Sequence, residues 1–550
     1  MSLQAEPRNL ARMQRILRPG ETCWRIERTH RFAVIVDASD YFAAAKAAMR
    51  KACHAIYLIG WDFDLRIRLE PGGNDNDLPD QLGHFLRAII RRRRKLRAFV
   101  LKWDYAMLWT LGRQILPMLM LNLWRHGRIR FRLDSAHPTG AAHHQKIIVI
   151  DDVLAFCGGI DMTSDRWDTR EHSPGNPNRS RPDGSTYGPW HDTTAVVDGA
   201  AAQALGELAR ARWRRATGKR LPVPGPQGDL WPDGVRPTLR DVDVAVARTA
   251  PAYEGRPAIN EIERLCLVAI AAARSVIYLE SQYFASVTVR NALEERLREP
   301  DGPEVVVVNP LTAEGWLEAE AMDSARSMAL RRIRAADRHD RFRIYYPVNE
   351  AGEPIYVHAK VLAIDNRLLR VGSSNINNRS MGFDTECDLA IEAVPGHPNE
   401  RQVHAAVTAV RDGLLAEHLG VVPDMLADAS QQQGSLVQAI EMLRRSEGRT
   451  LRALEWSETN MVEEFLVETQ VLDPERPGKG EARVKHWIKR TLLSIPPTAY
   501  VVAAALGAAV VAGRVIHTRR RGRSTSPDAR RVRAVSDRLS VEQGRSKNSR

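Results

Sequence analysis

The sequence predicts an α/β protein built as two tandem α/β units with mixed sheets and ending in a C-terminal transmembrane helix. Three observations carry that expectation. A chain of 550 residues exceeds the roughly 250–300 residues that one hydrophobic core organises. Strand-like and helix-like segments alternate, and the same succession occurs twice. One charge-free run of 22 residues, from Leu492 to Gly513, has the length of a bilayer-spanning helix.

The repeat sets the internal boundaries. AAMRKACHAIYLIGWDFD (47–64) parallels LVAIAAARSVIYLESQYF (267–284), each an Ala-rich helical run leading into a short buried strand. LRAFVLKWD (96–104) and EVVVVNP (304–310) are continuous apolar runs of strand length, and HGRIRFRL (126–133) parallels HDRFRIYY (339–346). The first unit is therefore placed at 1–217 and the second, with a helical extension, at 257–480. Residues 218–256, rich in proline, are read as the linker between them. The Gly/Pro/Asn/Ser-dense stretch from Arg170 to Trp190, absent from the second half, reads as a long surface loop. Residues 397–470 look helical, with a break at QQQG (431–434).

After the second unit come the membrane helix (491–513) and a tail (514–550) whose polar, basic composition predicts disorder. The tail holds twelve basic residues against three acids, so it carries +9 of the net charge of +13 and leaves +4 for residues 1–513. A nucleic-acid partner needs its basic stripe beside the reactive cleft, and this distribution argues against one. Cys23, Cys53, Cys157, Cys266 and Cys387 form no CxxC pair, which argues against a disulfide framework and a structural zinc and favours a reducing compartment. The first residues contain no apolar segment of secretory type. The expected placement is thus a single-pass membrane protein with a cytoplasmic body. Basic residues flank both ends of the span, so orientation is not read from charge.

Chemistry is concentrated in a doubled motif. HHQKIIVIDD (143–152) sets His144, Lys146 and Asp151 in the pattern H-x-K-x4-D, and VHAKVLAIDN (357–366) repeats it with His358, Lys360 and Asp365. Residues two apart in a strand share a face, so each His and Lys can project into one cleft while the following apolar residues anchor the strand. Fourteen residues beyond each histidine stands a glycine, opening Gly158-Gly159-Ile160-Asp161 in one half and Gly372-Ser373-Ser374-Asn375 in the other. Asp192 and Glu386 head matching strands further on, where a carboxylate can hold an imidazole in one tautomer.

These motifs, with GGIDMTSDRWD (158–168), PWHD (189–192), YLESQYF (278–284) and GSSNINNRSMGFDTE (372–386), resemble the phospholipase D superfamily, and its phospholipid-cleaving branch more than its nucleases. The resemblance covers roughly residues 25–420. It implies halves related by a pseudo-twofold axis that line one active site, with catalytic motif residues His144, Lys146, Asp151, His358, Lys360 and Asp365. By the same resemblance His144 forms a covalent phosphohistidine and His358 acts first as acid and then as base, although near-symmetry leaves the reverse assignment open. Asp192 and Glu386 orient the rings. Asp151 and Asp365 take a structural part, bonding to the Gly/Ser segment behind the site.

The chemistry is consistent with these residue types. A phosphodiester anion needs cations and donors around its nonbridging oxygens, and Lys146, Lys360, Asn375 and Ser373 are suited to that; no metal or other cofactor is called for. Asp161 stands where the second half has Asn375, so the first half lacks that amide. Gly159 completes the supporting set. His143, His191 and His54 are read as ordinary, and Trp103, Trp167 and Trp190 as either core fillers or lipid contacts. The expected substrate is a glycerophospholipid in a membrane, with water or an alcohol as acceptor. A phosphatidyltransferase of cardiolipin synthase type, a metal-independent nuclease and a noncatalytic lipid-binding protein are the alternatives.

Overall fold

The computed structural model describes residues 15–73, 77–104, 127–225, 228–313, 316–455 and 473–476. The expected membrane helix (491–513) and basic tail (514–550) lie outside the described residues. Among the described residues, no helix is long and apolar enough to cross a membrane. The chain divides into two compact units, Met1–Arg483 and Val484–Arg550, and all the described residues lie in the first.

The first half opens with β1 (Arg25–Val36), the Ala-rich helix α1 (Ala38–Lys51) and β2 (Ala55–Gly60). Alanine is the best helix former, and Asp40 in the first turn of α1 with Arg50 and Lys51 in the last complement the helix dipole. Next come α2 (Leu82–Arg92), β3 (Arg97–Trp103), β4 (Ile129–Asp134), β5 (Ile147–Ile150) and β6 (Leu154–Gly158). The half closes with β7 (Trp190–His191), β8 (Thr193–Asp198) and α3 (Gly199–Thr217).

The second half repeats the plan. Its elements are β9 (Leu239–Ala250), β10 (Ile259–Asn260), α4 (Glu261–Ala272), β11 (Val276–Glu280), α5 (Val287–Arg298), β12 (Glu304–Val308) and α6 (Trp316–Ala336). They continue with β13 (Phe342–Val348), β14 (Tyr356–Val357), β15 (Val361–Ile364), β16 (Leu368–Gly372), α7 (Asn378–Gly382) and β17 (Glu386–Glu392). The extension holds α8 (Glu400–Leu419), α9 (Pro423–Gln433), α10 (Leu436–Leu443) and β18 (Thr450–Ala453). The expected break falls where α9 ends, at Gly434 with φ 63°; the last expected helical stretch instead includes a strand, because β18 pairs with β13.

All strands but the β7/β14 pair belong to one large mixed sheet, ordered β18-β13-β12-β11-β15-β16-β17-β9-β1-β8-β6-β5-β2-β3-β4 with β10 beside β9. Read outward from β9 and β1, the two directions carry matching strands. In each half a parallel trio (β2-β3-β4, β11-β12-β13) joins an antiparallel set. The halves thus share one sheet instead of closing two. Antiparallel pairing of β1 with β9 removes an exposed edge from each half, and edges left open invite association.

This corrects the reading of 218–256 as a linker. Its proline-rich part precedes β9, but DVDVAVA within Leu239–Ala250 alternates with period two, the signature of a strand. The Arg170–Trp190 insertion also differs from a plain surface loop. His172 and Arg179 are buried, and Arg179 is held by Asp168 at 3.0 Å and the Ser173 carbonyl at 2.8 Å.

Helices cover both faces, which is why β2, β5, β6 and β8 are buried throughout. On one face α1 and α2 pack in a core of the first half alone, while α4 and α5 pack in a core of the second. On the other, α3 and α8 share a core that runs through both halves, including Tyr57, Phe99, Tyr278 and Leu415. Trp103, Trp167 and Trp190 are all buried; Trp167 packs in the core of the first half, Trp103 against Ala142, and Trp190 stacks on Tyr356.

Asp151 and Asp365 mark the far ends of β5 and β15. Asp151 accepts from the amides of Cys53 (2.6 Å), His54 (2.8 Å) and Ala55 (2.6 Å). Asp365 accepts from those of Arg274, Ser275 and Val276, at 2.9, 2.7 and 2.8 Å. Each therefore ties the turn before a central strand, not the Gly/Ser segment, and stands a strand's length from its histidine, so neither is a catalytic group. Asp151→Asn is expected to lower unfolding free energy by about 1–3 kcal/mol through poorly satisfied amides, measured by urea denaturation.

Candidate active site

Both histidine motifs lie immediately before their strands, since β5 begins at Ile147 and β15 at Val361. Backbone pairing across the halves places them. The His144 amide donates to the Thr385 carbonyl at 2.9 Å, and Thr385 returns a bond to Ala142 at 2.9 Å. Likewise β14 pairs in parallel with β7, and the His358 amide donates to the His191 carbonyl at 2.8 Å. Each histidine is thereby stitched to the segment that carries the other half's acid.

The acids are consequently exchanged. His144 Nδ1 lies 3.0 Å from Glu386 Oε1 and 3.1 Å from Oε2, and His358 Nδ1 lies 2.6 Å from Asp192 Oδ2. With both Nδ1 atoms engaged, both Nε2 atoms remain for a substrate. Lys146 Nζ donates to the His144 carbonyl at 3.0 Å and sits 3.1 Å from Asp161 Oδ2. Lys360 Nζ donates to the carbonyl of His358. The His144 side chain is 16% exposed and that of His358 6%, so the former is the more open ring.

Burial dominates the electrostatics. It holds both imidazoles well below their usual range, helped for His144 by Lys146 and Lys360 and for His358 by Lys360, Arg166 and Lys146. It pushes Glu386 up to about 7 against the pull of Lys146, and Asp192 up to about 7 against that of Lys360. Lys360, fully buried, is brought down to about 7 despite Asp192 beside it.

The supporting residues divide. Gly159 is required, because a Cβ there would stand 2.1 Å from Asp192 Oδ1. Asp161 also accepts the Trp61 amide at 2.9 Å. Asn375 keeps its amide nearly free, with Nδ2 3.5 Å from Gln282 Oε1 and Oδ1 without a hydrogen-bond partner. Ser373 does not serve as a phosphate donor. Its hydroxyl donates to Glu386 Oε2 at 2.5 Å, and its Oγ accepts the Cys387 amide at 3.0 Å.

Sequence reasoning missed Ser380 and Arg166. Ser380 Oγ donates to Glu386 Oε1 at 2.7 Å, so two hydroxyls clamp that carboxylate. Arg166 is buried, with its guanidinium 4.2 Å over the Trp190 ring, and that ring lies 5.2 Å from His358. It is the one cation within GGIDMTSDRWD, a signal present in the sequence but given no role.

A family model described as Phospholipase D matches residues 342–455, the stretch containing His358, Lys360 and Glu386. Among curated proteins, phospholipase D alpha 4 of Arabidopsis thaliana is 22% identical over 511 residues, covering 72% of this chain and 66% of that protein. Phospholipase D A of Dictyostelium discoideum is 23% identical over 468 residues, covering 71% of this chain and 36% of its own. The chain thus spans less than two thirds of the length of these relatives. Among solved structures, phosphatidylserine synthase of Haemophilus influenzae Rd KW20 aligns over 69% of this chain and 86% of its own at 11% identity, with a TM-score of 0.48, a likeness too remote to bear on fold or activity. The family model and these two relatives point to the same family, phospholipase D, to which the chain is similar.

Proposed function

We propose that this chain is a membrane-anchored phospholipase D that hydrolyses glycerophospholipids to phosphatidic acid and an alcohol through a covalent phosphohistidine. The observation that carries the reading is the crossed pairing of His144 with Glu386 and His358 with Asp192, beside two buried lysines. Glu386 accepts the Nδ1 proton of His144, which leaves the Nε2 lone pair to attack phosphorus. The Asp192–His358 pair holds an extra proton below about pH 7, and the phosphorus–oxygen bond to the headgroup breaks as that proton passes from His358 Nε2 to the departing oxygen. His358 then takes a proton from water, whose oxygen displaces His144 and releases phosphatidic acid. Lys146, Lys360 and the Asn375 amide face the charge that builds on the nonbridging oxygens. The greater exposure of His144 supports its role as nucleophile. We place the body at the cytoplasmic face, with the charge-free apolar run from Leu492 to Gly513 as its proposed anchor.

The test is product analysis with phosphatidylcholine and phosphatidylglycerol vesicles, with and without a primary alcohol, for wild type and His358→Ala. Phosphatidic acid, or an alcohol-exchanged lipid, that disappears in the variant is expected. Cardiolipin as the main product would make the chain a phosphatidyltransferase, and cleavage of single-stranded DNA with no lipid product would make it a nuclease.

The pH profile follows from the groups at about 7. The His144–Glu386 pair must shed its extra proton to act, which favours rising pH. Lys360 has a depressed pKa, so its cation is present below about 7 and lost as pH rises through it. The expected kcat/KM on a soluble phosphodiester is bell-shaped with its maximum close to pH 7; a flat profile across that region would contradict the assignment.

A further inference from the structure

We propose that Asp37, His172, His191 and Glu417 form a four-coordinate structural site for a divalent transition-metal ion of the zinc class. The donors come from distant parts of the chain: the junction of β1 and α1, the Arg170–Trp190 insertion, β7, and the last turns of α8. All four residues are buried, with one ligand atom from each lying within 4.8 Å of the others. His191 Nδ1 is 3.2 Å from Asp37 Oδ1 and 3.3 Å from Glu417 Oε1. His172 Nε2 is 3.4 Å from Glu417 Oε1 and 3.5 Å from Asp37 Oδ2. A tetrahedron with zinc bonds of about 2.0–2.2 Å has edges of about 3.3–3.6 Å. Charge-assisted hydrogen bonds between such groups close to about 2.7–2.9 Å. The separations are those of ligands around an ion.

Two independent features agree. Each imidazole is oriented from behind by a carboxylate: Asp168 Oδ2 stands 2.9 Å from His172 Nδ1, and Glu280 Oε2 stands 3.1 Å from His191 Nε2. Glu280 is in turn held by His418 Nε2 at 3.0 Å and by the Tyr278 hydroxyl. A carboxylate behind each ring is the arrangement that fixes the tautomer of a metal-bound histidine. On the inward side, Asp37 Oδ2 and His191 Nδ1 have no hydrogen-bond partner, on side chains with no solvent exposure.

The donor set of two imidazoles and two carboxylates suits zinc and its neighbours, whereas calcium takes six to eight oxygens. Four protein donors closed to solvent make the site structural. Its neighbours in the fold show what it would hold in place. Asp37 Oδ1 accepts the Asp192 amide at 3.0 Å, and the His191 carbonyl accepts the His358 amide. An ion here braces the Asp192–His358 pair from behind and ties α8 of the second half to the first.

The test uses the full-length chain purified without added metal and dialysed, with metal content read by mass spectrometry. Close to one zinc-class ion per chain is expected, with its loss in Glu417→Gln and in His172→Asn. Should either variant fail to fold, cobalt(II) restored to chelator-stripped wild type is expected to give the intense visible bands of a four-coordinate site, and zinc to raise the melting temperature with one-to-one stoichiometry. A folded wild type that holds far less than one ion per chain and does not respond to zinc overturns the proposal and makes the cluster a proton-held network. An ion retained by both folded variants overturns it equally. None of these readouts uses lipid turnover, so the result stands apart from the fate of the phospholipase reading.

Discussion

His144→Ala is expected to lower phosphodiester cleavage by on the order of 10⁴-fold, because it removes the group that enters the covalent intermediate. His358→Ala is expected to cost a comparable factor on a lipid substrate but to behave differently on a p-nitrophenyl phosphodiester. That leaving group departs without a proton, so the first step survives the loss of the acid while the second, which needs the base, stalls. His358→Ala quenched with denaturant at alkaline pH should therefore retain the substituted phosphoryl group on His144, detectable as an acid-labile, base-stable adduct by mass spectrometry, and His144→Ala should retain none. Accumulation in His144→Ala and not in His358→Ala would exchange the two roles. The prediction depends on the crossed pairing, since each ring keeps its own carboxylate when the other is removed.

Arg370→Met is expected to cost about 3–5 kcal/mol of stability, the penalty for leaving one charge of a buried ion pair alone. Arg370 and Asp388 are both 0% exposed, with Nη1 2.7 Å from Asp388 Oδ2. Asp388 Oδ1 also accepts the Ser373 and Ser374 amides at 2.9 and 3.1 Å, so an unpaired Asp388 disturbs the segment whose Ser373 clamps Glu386. Urea denaturation followed by tryptophan fluorescence checks the magnitude, and a loss below about 1 kcal/mol would mean that the pair is not held as described.

Much of the fold was legible because it is local. The strands AIYLIG, VIYLES, LRAFVLKW and EVVVV are apolar runs whose burial follows from composition, and the Ala-rich helix before β2 follows from propensity. β9 was readable in DVDVAVA but was obscured by the proline-rich residues before it. The site was legible as a set of residues and not as an arrangement. His144, Lys146, His358 and Lys360 announce themselves by repetition, whereas Ser380, Arg166 and the cluster around His191 have no spacing to betray them.

The sequence by itself determined that two copies of one α/β plan exist, that each carries a histidine, a lysine and an acid in register, and that the excess charge lies in the C-terminal tail. These are properties of order along the chain, and short-range propensity and periodicity record them. Only the tertiary structure decided that the halves share one sheet, that Glu386 serves His144 while Asp192 serves His358, that Asp151 and Asp365 anchor turns instead of the site, and that Asp37, His172, His191 and Glu417 meet. Those outcomes depend on which strand edges pair across some 200 residues of chain, a choice made by edge complementarity and the shared core, neither of which is written in any local run of residues.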